Sequence, residues 1–224
     1  METNIKHDKK TLQKILEAIP VNYYQKGVKC NLLQNFWHTH KLSTVLSQIS
    51  HSPKKILDVG CASGWFLSQL SNNFPDSVCF GIDSYKKAIL YGENLYPYLK
   101  LITADVHNLP YPDKKFDLVV CTEVLEHVTN PLQVIKEILR VTKKNGQVII
   151  EMDSGNWLFN LVWSYWIKLN GKVWHNAHLQ IFNAQKLKNY IESTGFKIIG
   201  TKYFNFGMAV SYLCTPLPPH PHTL

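Results

Sequence analysis

Several features that would mark other protein classes are missing from this chain. No run of apolar residues reaches the ~18 that a membrane span needs, and the first ten residues, METNIKHDKK, lack the apolar core of a secretion signal. The five cysteines are odd in number and form no C-x-x-C pair, which argues against a disulfide framework or a zinc ribbon. We therefore expect a cytoplasmic protein with reduced thiols.

The chain carries an excess of positive charge, but its basic residues are not clustered. Lysine and arginine outnumber acidic residues by 24 to 16, giving a formal net charge of +8. Clustered basic residues would indicate nucleic-acid binding, but here the lysines are scattered singly and in pairs. The pattern favours a solvated surface, with a weak attraction to anionic membranes as the alternative.

Between Lys54 and Met152, short β-rich apolar runs alternate with helical stretches, as in parallel βαβ units. A further helix and a strand pair joined at residues 205–207 follow. The predicted helices are Trp65–Asn73, Tyr85–Tyr91, Pro131–Thr142 and Ala184–Thr194. The predicted strands are Lys55–Val59, Val78–Ile82, Leu99–Thr103, Phe116–Cys121, Gln147–Met152, Phe196–Phe204 and Met208–Cys214.

This order predicts an α/β fold: a Rossmann-like three-layer sandwich around a seven-stranded, mostly parallel sheet with a terminal antiparallel strand. Residues 1–50 are expected to form a helical cap with helices over Lys9–Ile19 and Asn31–Ile49. Residues 51–215 would form the main domain, with an aromatic lid inserted at about 153–182. The proline-rich residues 216–224 are expected to be an extended tail.

The segment 56–65, ILDVGCASGW, reads as a buried strand that enters a glycine-bearing turn and then a helix. In a doubly wound sheet such a turn lies where ligands bind. A dinucleotide fingerprint needs glycine at positions 60, 62 and 65, but the chain has Gly60, Ala62 and Trp65. The pattern favours a ligand without pyrophosphate, and Asp58 favours one with a positive charge or donor groups.

Two more acids follow the next strands. Asp83 stands where a carboxylate accepts hydrogen bonds from both ribose hydroxyls. Asp105, after the third strand, offers an acceptor for an adenine amino group. Together with Asp58, these residues predict a ligand that consists of an adenosine joined to a cationic amino-acid group.

The segments ILDVGCASG, GIDS, ADVHNLP and FDLVVCTEVLEHV resemble, in order and spacing, the motifs of class I S-adenosylmethionine-dependent methyltransferases, especially the methyltransferase type 11 group. The resemblance covers about residues 54–152, and Ala62 replaces a glycine common in that family. It implies S-adenosylmethionine as cofactor, bound by Asp58, Gly60, Cys61, Gly64, Asp83, Ser84, Asp105, Val106 and Thr122. Glycines after a strand can also be plain turn residues, and Asp83 can be a helix cap.

Glu123, Glu126 and His127 offer two carboxylates and an imidazole, a set that can hold Mg²⁺ or an equivalent ion. The pattern resembles the metal-binding stretch of ubiquinone-pathway O-methyltransferases. The same side chains can instead orient the loop over the cofactor. We therefore predict no metal and keep this site as the alternative.

The region after the fifth strand is expected to meet the acceptor. His175 and His178 are candidate general bases for an acceptor hydroxyl, although each can also be a structural or solvent-facing histidine. A helix from Trp157 to Leu169 would be apolar nearly all round. Trp157, Trp163 and Trp166 are then candidates for peripheral membrane contact, with packing in the protein core as the alternative.

We therefore expect methyl transfer from S-adenosylmethionine to a small hydrophobic or lipid-like acceptor, with possible contact to the membrane surface. The alternatives are methylation of a soluble metabolite or quinone-like phenol with metal assistance, and a non-catalytic binding module on the same fold. A nucleic-acid substrate is disfavoured, because the chain lacks the Asn-Pro-Pro-Tyr or Asp-Pro-Pro-Tyr motif that stacks on a flipped base.

Overall fold

A computed structural model describes residues 14, 15, 17–169 and 182–218. Within these residues the helices are α1 (Tyr23–Cys30), α2 (Leu32–Leu46), α3 (Trp65–Asn73), α4 (Lys86–Leu95), α5 (Pro131–Val141), α6 (Trp157–Leu169) and α7 (Ala184–Ser193). The strands are β1 (Lys55–Val59), β2 (Val78–Asp83), β3 (Lys100–Thr103), β4 (Phe116–Thr122), β5 (Thr142–Asp153), β6 (Phe196–Phe204) and β7 (Ala209–Pro216). A 3₁₀ turn covers Leu125–His127.

The strands of the described residues form one seven-stranded sheet in the order β3-β2-β1-β4-β5-β7-β6. Strands β1 to β5 pair in parallel, whereas β7 is antiparallel to both β5 and β6. The predicted mostly parallel Rossmann-like sheet is confirmed, and its antiparallel strand, last in the chain, lies second from the edge. The strand order reverses between β1 and β4, which places a ligand crevice at their carboxyl ends.

Alternation of side chains along each strand separates two apolar cores. On β5, Val148 and Ile150 face one core, which also contains buried residues of α5 and α7, and Ile149 faces the other, which contains buried residues of α2 and α3. By the same alternation, Glu151 and Asp153 share the face of Ile149. This arrangement brings acidic residues of the sheet beneath α2.

Helix ends follow local signals. Pro131 is the first residue of α5, and the side chain of Asn130 accepts a hydrogen bond from the N–H of Gln133 at 3.2 Å. The helix predicted over Tyr85–Tyr91 is α4, which runs on to Leu95 because the next breaker is Pro97. The helices predicted over Asn31–Ile49, Trp65–Asn73, Pro131–Thr142, Trp157–Leu169 and Ala184–Thr194 are confirmed to within a few residues.

Strand β5 begins earlier than predicted. The sequence indicated Gln147–Met152, whereas the strand spans Thr142–Asp153. Residues 145–146 lie in an irregular stretch where the register shifts between Phe116 and Leu118 of β4. The predicted hairpin between β6 and β7 is confirmed, with positive φ angles at all three residues of 205–207.

The N-terminal region contains a helix that the sequence did not predict. Helix α1 includes Gly27, which weakens helix propensity, but a Cβ there would overlap Gln34 of α2, so the glycine permits close packing. The helix predicted over Lys9–Ile19 and the tail 219–224 lie largely or wholly outside the described residues. Among the described helices, none is long and apolar enough to span a membrane.

Candidate active site

The loop after β1 holds a conformation that requires glycine. Gly60 has φ +80° and Gly64, which precedes α3, has φ +77°. The N–H groups of Gly60 and Cys61 both donate to the carbonyl of Ile82, at 2.8 and 3.0 Å. A Cβ on Gly60 would overlap Cγ2 of Val124, so the backbone approaches the loop after β4 as closely as packing allows.

Beside this loop, Asp83 ties the ends of β1 and β2 together. Its carboxylate accepts hydrogen bonds from the N–H groups of Ala62 and Tyr85, both at 2.8 Å. Burial raises the pKa of Asp83, and the N–H donors around it partly offset that rise. The carboxylate is therefore fixed in place at the wall of a cleft.

At the end of β3, Asp105 is held by His107. The imidazole Nδ1 lies 2.6 Å from Oδ1 of Asp105, and the N–H of His107 donates to the same oxygen at 3.0 Å. The N–H of Asn130 donates to Nε2 of His107 at 3.3 Å, so Nε2 is an acceptor and Nδ1 carries the proton. His107 thus links Asp105 to the segment before α5.

These groups surround a cleft of about 440 Å³, a volume within the ~300–1,000 Å³ typical of small-molecule sites. The glycine loop, where a Cβ would block close approach, and the fixed Asp83 carboxylate fit the methionine and ribose portions of S-adenosylmethionine. Of the predicted cofactor residues, those that line the cleft are Gly60, Ser84, Asp83, Asp105 and Val106. Those that do not are Asp58, Cys61, Gly64 and Thr122.

Asp58 lies behind the cleft rather than on its wall. Asp58 is 2% exposed, and alternation along β1 places it on the face of Ile56, whose core contains buried residues of α2 and α3. Burial raises the pKa of Asp58 to about 7, with the nearby Lys41 ammonium opposing and the Asp83 carboxylate adding to the rise. The structure therefore brings two of the three predicted acids to the cleft and leaves the third beneath it.

A second cavity, of about 420 Å³, adjoins the cleft. The walls are mainly apolar and come from α1, α2, α6 and the turn between β6 and β7. They include Trp37, Leu158, Phe159, Trp163, Trp166 and Met208. The cleft and this cavity share Tyr23, Tyr24, Glu123 and His127, so a molecule in one can touch a molecule in the other.

Glu123 stands at this junction with both carboxylate oxygens engaged. Oε1 accepts from the indole N–H of Trp37 at 2.8 Å, and Oε2 pairs with the ammonium of Lys41 at 2.8 Å. Burial alone would raise the pKa of Glu123, but Lys41 and the other donors hold it at about 2. Glu123 also has φ +54°, a strained conformation of the kind that clusters at active sites.

This pairing bears on the alternative metal site. In the described part of the chain, no group of three or more His, Cys, Asp or Glu side chains is arranged to hold an ion. Glu123 is bound to α2, and the Nε2 atom of His127 lies 4.0 Å from Oε1 of Glu126. The three residues are close together, but their arrangement favours holding the helical cap over the junction.

Sequence reasoning missed several residues of the two cavities. No motif pointed to the tyrosines of α1, to Lys41, to His107 or to Asp153, which lines the second cavity. The available signals were weak: two adjacent tyrosines after Pro20, and an acid at the end of a predicted strand. The candidate bases His175 and His178 lie outside the described residues.

Comparisons with known proteins agree with this geometry. Residues 34–201 match the family model described as a methyltransferase domain. The chain is 28% identical over 179 residues to a demethylmenaquinone methyltransferase of Lactobacillus johnsonii, a match that covers 70% of this chain and 73% of that protein. It is also 28% identical over 156 residues to a ubiquinone biosynthesis O-methyltransferase of Azoarcus sp., covering 65% of each.

Among solved structures, an S-adenosylmethionine-dependent methyltransferase of Thermotoga maritima, described as a possible histamine N-methyltransferase, superposes with a TM-score of 0.71 at 19% identity. That match covers 91% of this chain and 99% of the other, and at this identity it shows the shared fold. Because the family model spans residues 34–201, the chain belongs to the methyltransferase domain family and is an S-adenosylmethionine-dependent methyltransferase.

Proposed function

We propose that this enzyme methylates a hydroxylated aromatic acceptor of the quinone type that carries an apolar chain, and that it takes this acceptor from a membrane surface. The observation that carries the proposal is the apolar cavity of about 420 Å³ that shares a wall with the cofactor cleft. The two similar proteins named above act, by their names, on demethylmenaquinone and in ubiquinone biosynthesis. Such ring acceptors suit aromatic walls.

Bound S-adenosylmethionine supplies a methyl group on a sulfonium that is a good leaving group. The protein's task is then to hold the acceptor atom in line with that methyl group and to exclude water. The Tyr23–Tyr24 pair closes one side of the junction. Trp37 and Lys41, bonded to Glu123, fix α2 over the other side. Both contacts come from the helical cap, which therefore aligns the two cavities.

Exposed apolar side chains lie at the second cavity and elsewhere on helix α6, which forms one of its walls. Phe206, in the turn between β6 and β7, is 79% exposed and stacks on Phe36 of α2. Trp157, Leu161 and Tyr165 of α6 are also exposed. A surface of this kind suits insertion into the interface of a bilayer, from which an apolar chain would enter the cavity directly.

The three tryptophans proposed for membrane contact thus fall into two groups, one exposed and two lining the cavity. Trp157 is 76% exposed and suits the lipid interface. Trp163 and Trp166 line the cavity, and Trp163 stacks on Phe159 with ring centroids 5.8 Å apart. We therefore assign the outward residue to the membrane and the two inward ones to the acceptor.

Labelled methyl transfer to ring acceptors of increasing chain length tests the function. Each buried methylene contributes about 0.8 kcal/mol, so two more methylene groups should raise kcat/KM by about tenfold until the cavity is full. Asp83→Ala serves as the control that abolishes cofactor binding. Faster methylation of soluble amines or of chain-free phenols would contradict the proposal and favour the soluble-metabolite alternative.

Co-sedimentation with anionic liposomes tests the membrane contact. Trp157→Ser combined with Leu161→Ser should release the protein into the supernatant while methyl transfer to a detergent-solubilised acceptor persists. The inward pair Trp163→Ser and Trp166→Ser should do the reverse. A wild type that stays in the supernatant at low salt would contradict the membrane contact.

A further inference from the structure

Besides Glu123 at the junction, two further carboxyl groups line the mainly apolar second cavity. Glu126, in the 3₁₀ turn after β4, and Asp153, the last residue of β5, both line it. Glu126 is only 3% exposed, and its Oε2 atom is buried without a hydrogen-bond partner. A buried polar group of this kind is costly unless a ligand satisfies it.

The position of Asp153 follows from the sheet. Strand β5 pairs with β4, and the N–H of Glu123 donates to the carbonyl of Glu151 at 2.9 Å. Adjacent strands lie about 4.8 Å apart, so the end of β5 is one strand beyond the junction and two beyond the glycine loop after β1. The N–H of Gly155 holds one carboxylate oxygen of Asp153 at 3.0 Å. The carboxylate therefore stands across the junction from the cofactor cleft, in a fixed orientation.

The surroundings of Asp153 include three carboxyl groups, two histidines and one lysine. The titratable and charged side chains around it are Tyr23 and Tyr24 of α1, His38 and Lys41 of α2, Glu123, Glu126 and His127 after β4, and Glu151 of its own strand. Lys41 is paired with Glu123. The carboxyl group of Asp153 thus has no cation bound to it among the described ion pairs.

Burial raises the pKa of Asp153 to about 7, with the N–H of Gly155 opposing and the Glu123 carboxylate adding to the rise. Burial, together with the Asp153 carboxylate, raises the pKa of Glu126 well above its usual value. Near neutral pH, Asp153 therefore exchanges a proton readily, and burial favours the protonated form of Glu126. A general base is most effective when its pKa lies near the working pH.

We propose that Asp153 is the general base of methyl transfer and accepts the proton of an acceptor hydroxyl, an inference that rests on the proposed function. The O–H bond of the acceptor breaks and its proton passes to the Asp153 carboxylate. The oxygen electron pair forms the bond to the methyl carbon, and the bond from that carbon to sulfur breaks with its electrons on sulfur. Glu126, in its protonated form, donates a hydrogen bond to a neighbouring ring oxygen.

The kinetic test compares Asp153→Asn with the wild type on an alkyl catechol in the presence of S-adenosylmethionine. The wild-type kcat/KM should rise with pH to a plateau, with a midpoint near 7. Asp153→Asn should lose about 100-fold or more in kcat and lose this rise. A nitro-substituted alkyl catechol, whose hydroxyl ionises without a base, should recover most of the lost rate.

Matched variants test whether the loss of rate comes from the Asp153 carboxylate itself. Asp76→Asn makes the same change at an exposed aspartate and should leave the rates unchanged. Glu126→Gln keeps a hydrogen-bond donor and should cost less than tenfold. A rate for Asp153→Asn within threefold of the wild type at every pH would overturn the proposal, as would loss of the pH-dependent rise in His175→Ala or His178→Ala instead.

A second readout needs no turnover. Calorimetry of the protein saturated with S-adenosylhomocysteine, run in two buffers of different ionisation enthalpy, measures the protons exchanged on binding. The alkyl catechol should release protons near pH 6.5 relative to its dimethyl ether, because a bonded hydroxyl favours ionised Asp153. Asp153→Asn should abolish the difference, and an equal difference in both proteins would overturn the proposal.

The same data separate this inference from the proposed function. If the wild type binds S-adenosylhomocysteine but neither binds nor methylates hydroxylated rings, the acceptor class is wrong and the base assignment is overturned with it. If the wild type methylates those rings and Asp153→Asn does so equally well, only the base assignment fails.

Discussion

The two cavities that meet at Glu123 have nearly the same volume, about 440 and about 420 Å³, but they are built from different parts of the chain. The cofactor cleft is formed by strand ends and backbone turns, with Gly60 and Asp83 held by backbone hydrogen bonds. The second cavity, which we propose as the acceptor cavity, is formed by aromatic side chains of helices that lie far apart in sequence. Backbone turns fix one ligand geometry, whereas packed side chains can be exchanged to suit another acceptor.

Among substitutions in the cofactor cleft, Gly60→Ala should have the largest effect on cofactor binding. The added Cβ would overlap Val124, and φ +80° strains any side chain. We expect S-adenosylhomocysteine to bind at least about 100-fold more weakly, a loss of about 2.7 kcal/mol in calorimetry. Acceptor binding in the other cavity should change by less than threefold.

The companion variant Gly60→Ala with Val124→Ala removes the overlap and leaves the strain. It should recover part of the lost affinity, but not all of it. Full recovery would show that the left-handed backbone is unimportant, and no loss in the single variant would show that the loop does not approach the cofactor.

At the boundary between the cavities, Lys41→Met should cost about 3 kcal/mol in the free energy of unfolding. The Lys41 side chain is 4% exposed, and its removal leaves the Glu123 carboxylate without its cation. Urea unfolding measures the loss. Lys143→Met, which breaks the 2.6 Å pair with Asp117 at a side chain 41% exposed, is the matched control and should cost about 1 kcal/mol or less.

The pH dependence of that cost follows from Glu123, whose folded-state pKa of about 2 lies below its usual 4.5. A depressed acid pKa stabilises the fold above the unfolded value, and this contribution disappears as the pH falls through the folded value. The difference between wild type and Lys41→Met should therefore be large at pH 6 and shrink between about pH 4.5 and pH 2. A difference that stays constant over this range would show that the lost packing, not the ion pair, sets the cost.

A smaller and one-sided effect is expected for Trp163→Ala in the acceptor cavity. Loss of the indole that stacks on Phe159 should raise the KM for a long-chain acceptor by about tenfold, equivalent to about 1.4 kcal/mol. Cofactor affinity should stay within twofold. Trp157→Ala on the same helix faces outward and should leave the KM in detergent unchanged; equal effects of the two variants would remove the distinction between inner and outer faces.

The sequence predicted the sheet well, and it pointed to residues that the structure brings to one cleft, because both depend on local patterns. Each parallel strand ends at the same edge, so a motif after each strand places Gly60, Asp83 and Asp105 together. Asp58 departs from the pattern, because its position in the pleat turns the side chain toward α2. The Lys41 ammonium, which acts electrostatically on Asp58, lies in a helix that no cofactor motif covers.

The full set of residues that wall the acceptor cavity could not be predicted from the sequence, because these residues follow no local pattern. Its walls are brought together only by the tertiary packing of α1 and α2 against α6 and the turn at Phe206. An apolar helix such as α6 has the same sequence pattern whether its tryptophans face lipid, ligand or core. Asp153 reads only as an acid at a strand end, and its electrostatic surroundings exist only in the folded chain.

The smallest effect is expected where this chain departs from the family pattern, at Ala62→Gly. Ala62 has φ +47°, a conformation that costs a non-glycine residue about 1–2 kcal/mol, which explains why glycine is common there. Glycine would relieve this strain but cost about 0.5–1 kcal/mol in the entropy of the unfolded chain, so the free energy of unfolding should rise by about 1 kcal/mol or less.

Cofactor affinity should barely move in Ala62→Gly, because the N–H that donates to Asp83 at 2.8 Å is kept. Ala62→Val is the matched contrast, since a β-branched side chain tolerates positive φ poorly and should destabilise the loop by about 1–2 kcal/mol. A tenfold gain in S-adenosylhomocysteine affinity for Ala62→Gly would show that the loop is misshapen in the wild type. Unchanged affinity would place the recognition in Asp83 and Gly60, with position 62 serving only to continue the loop.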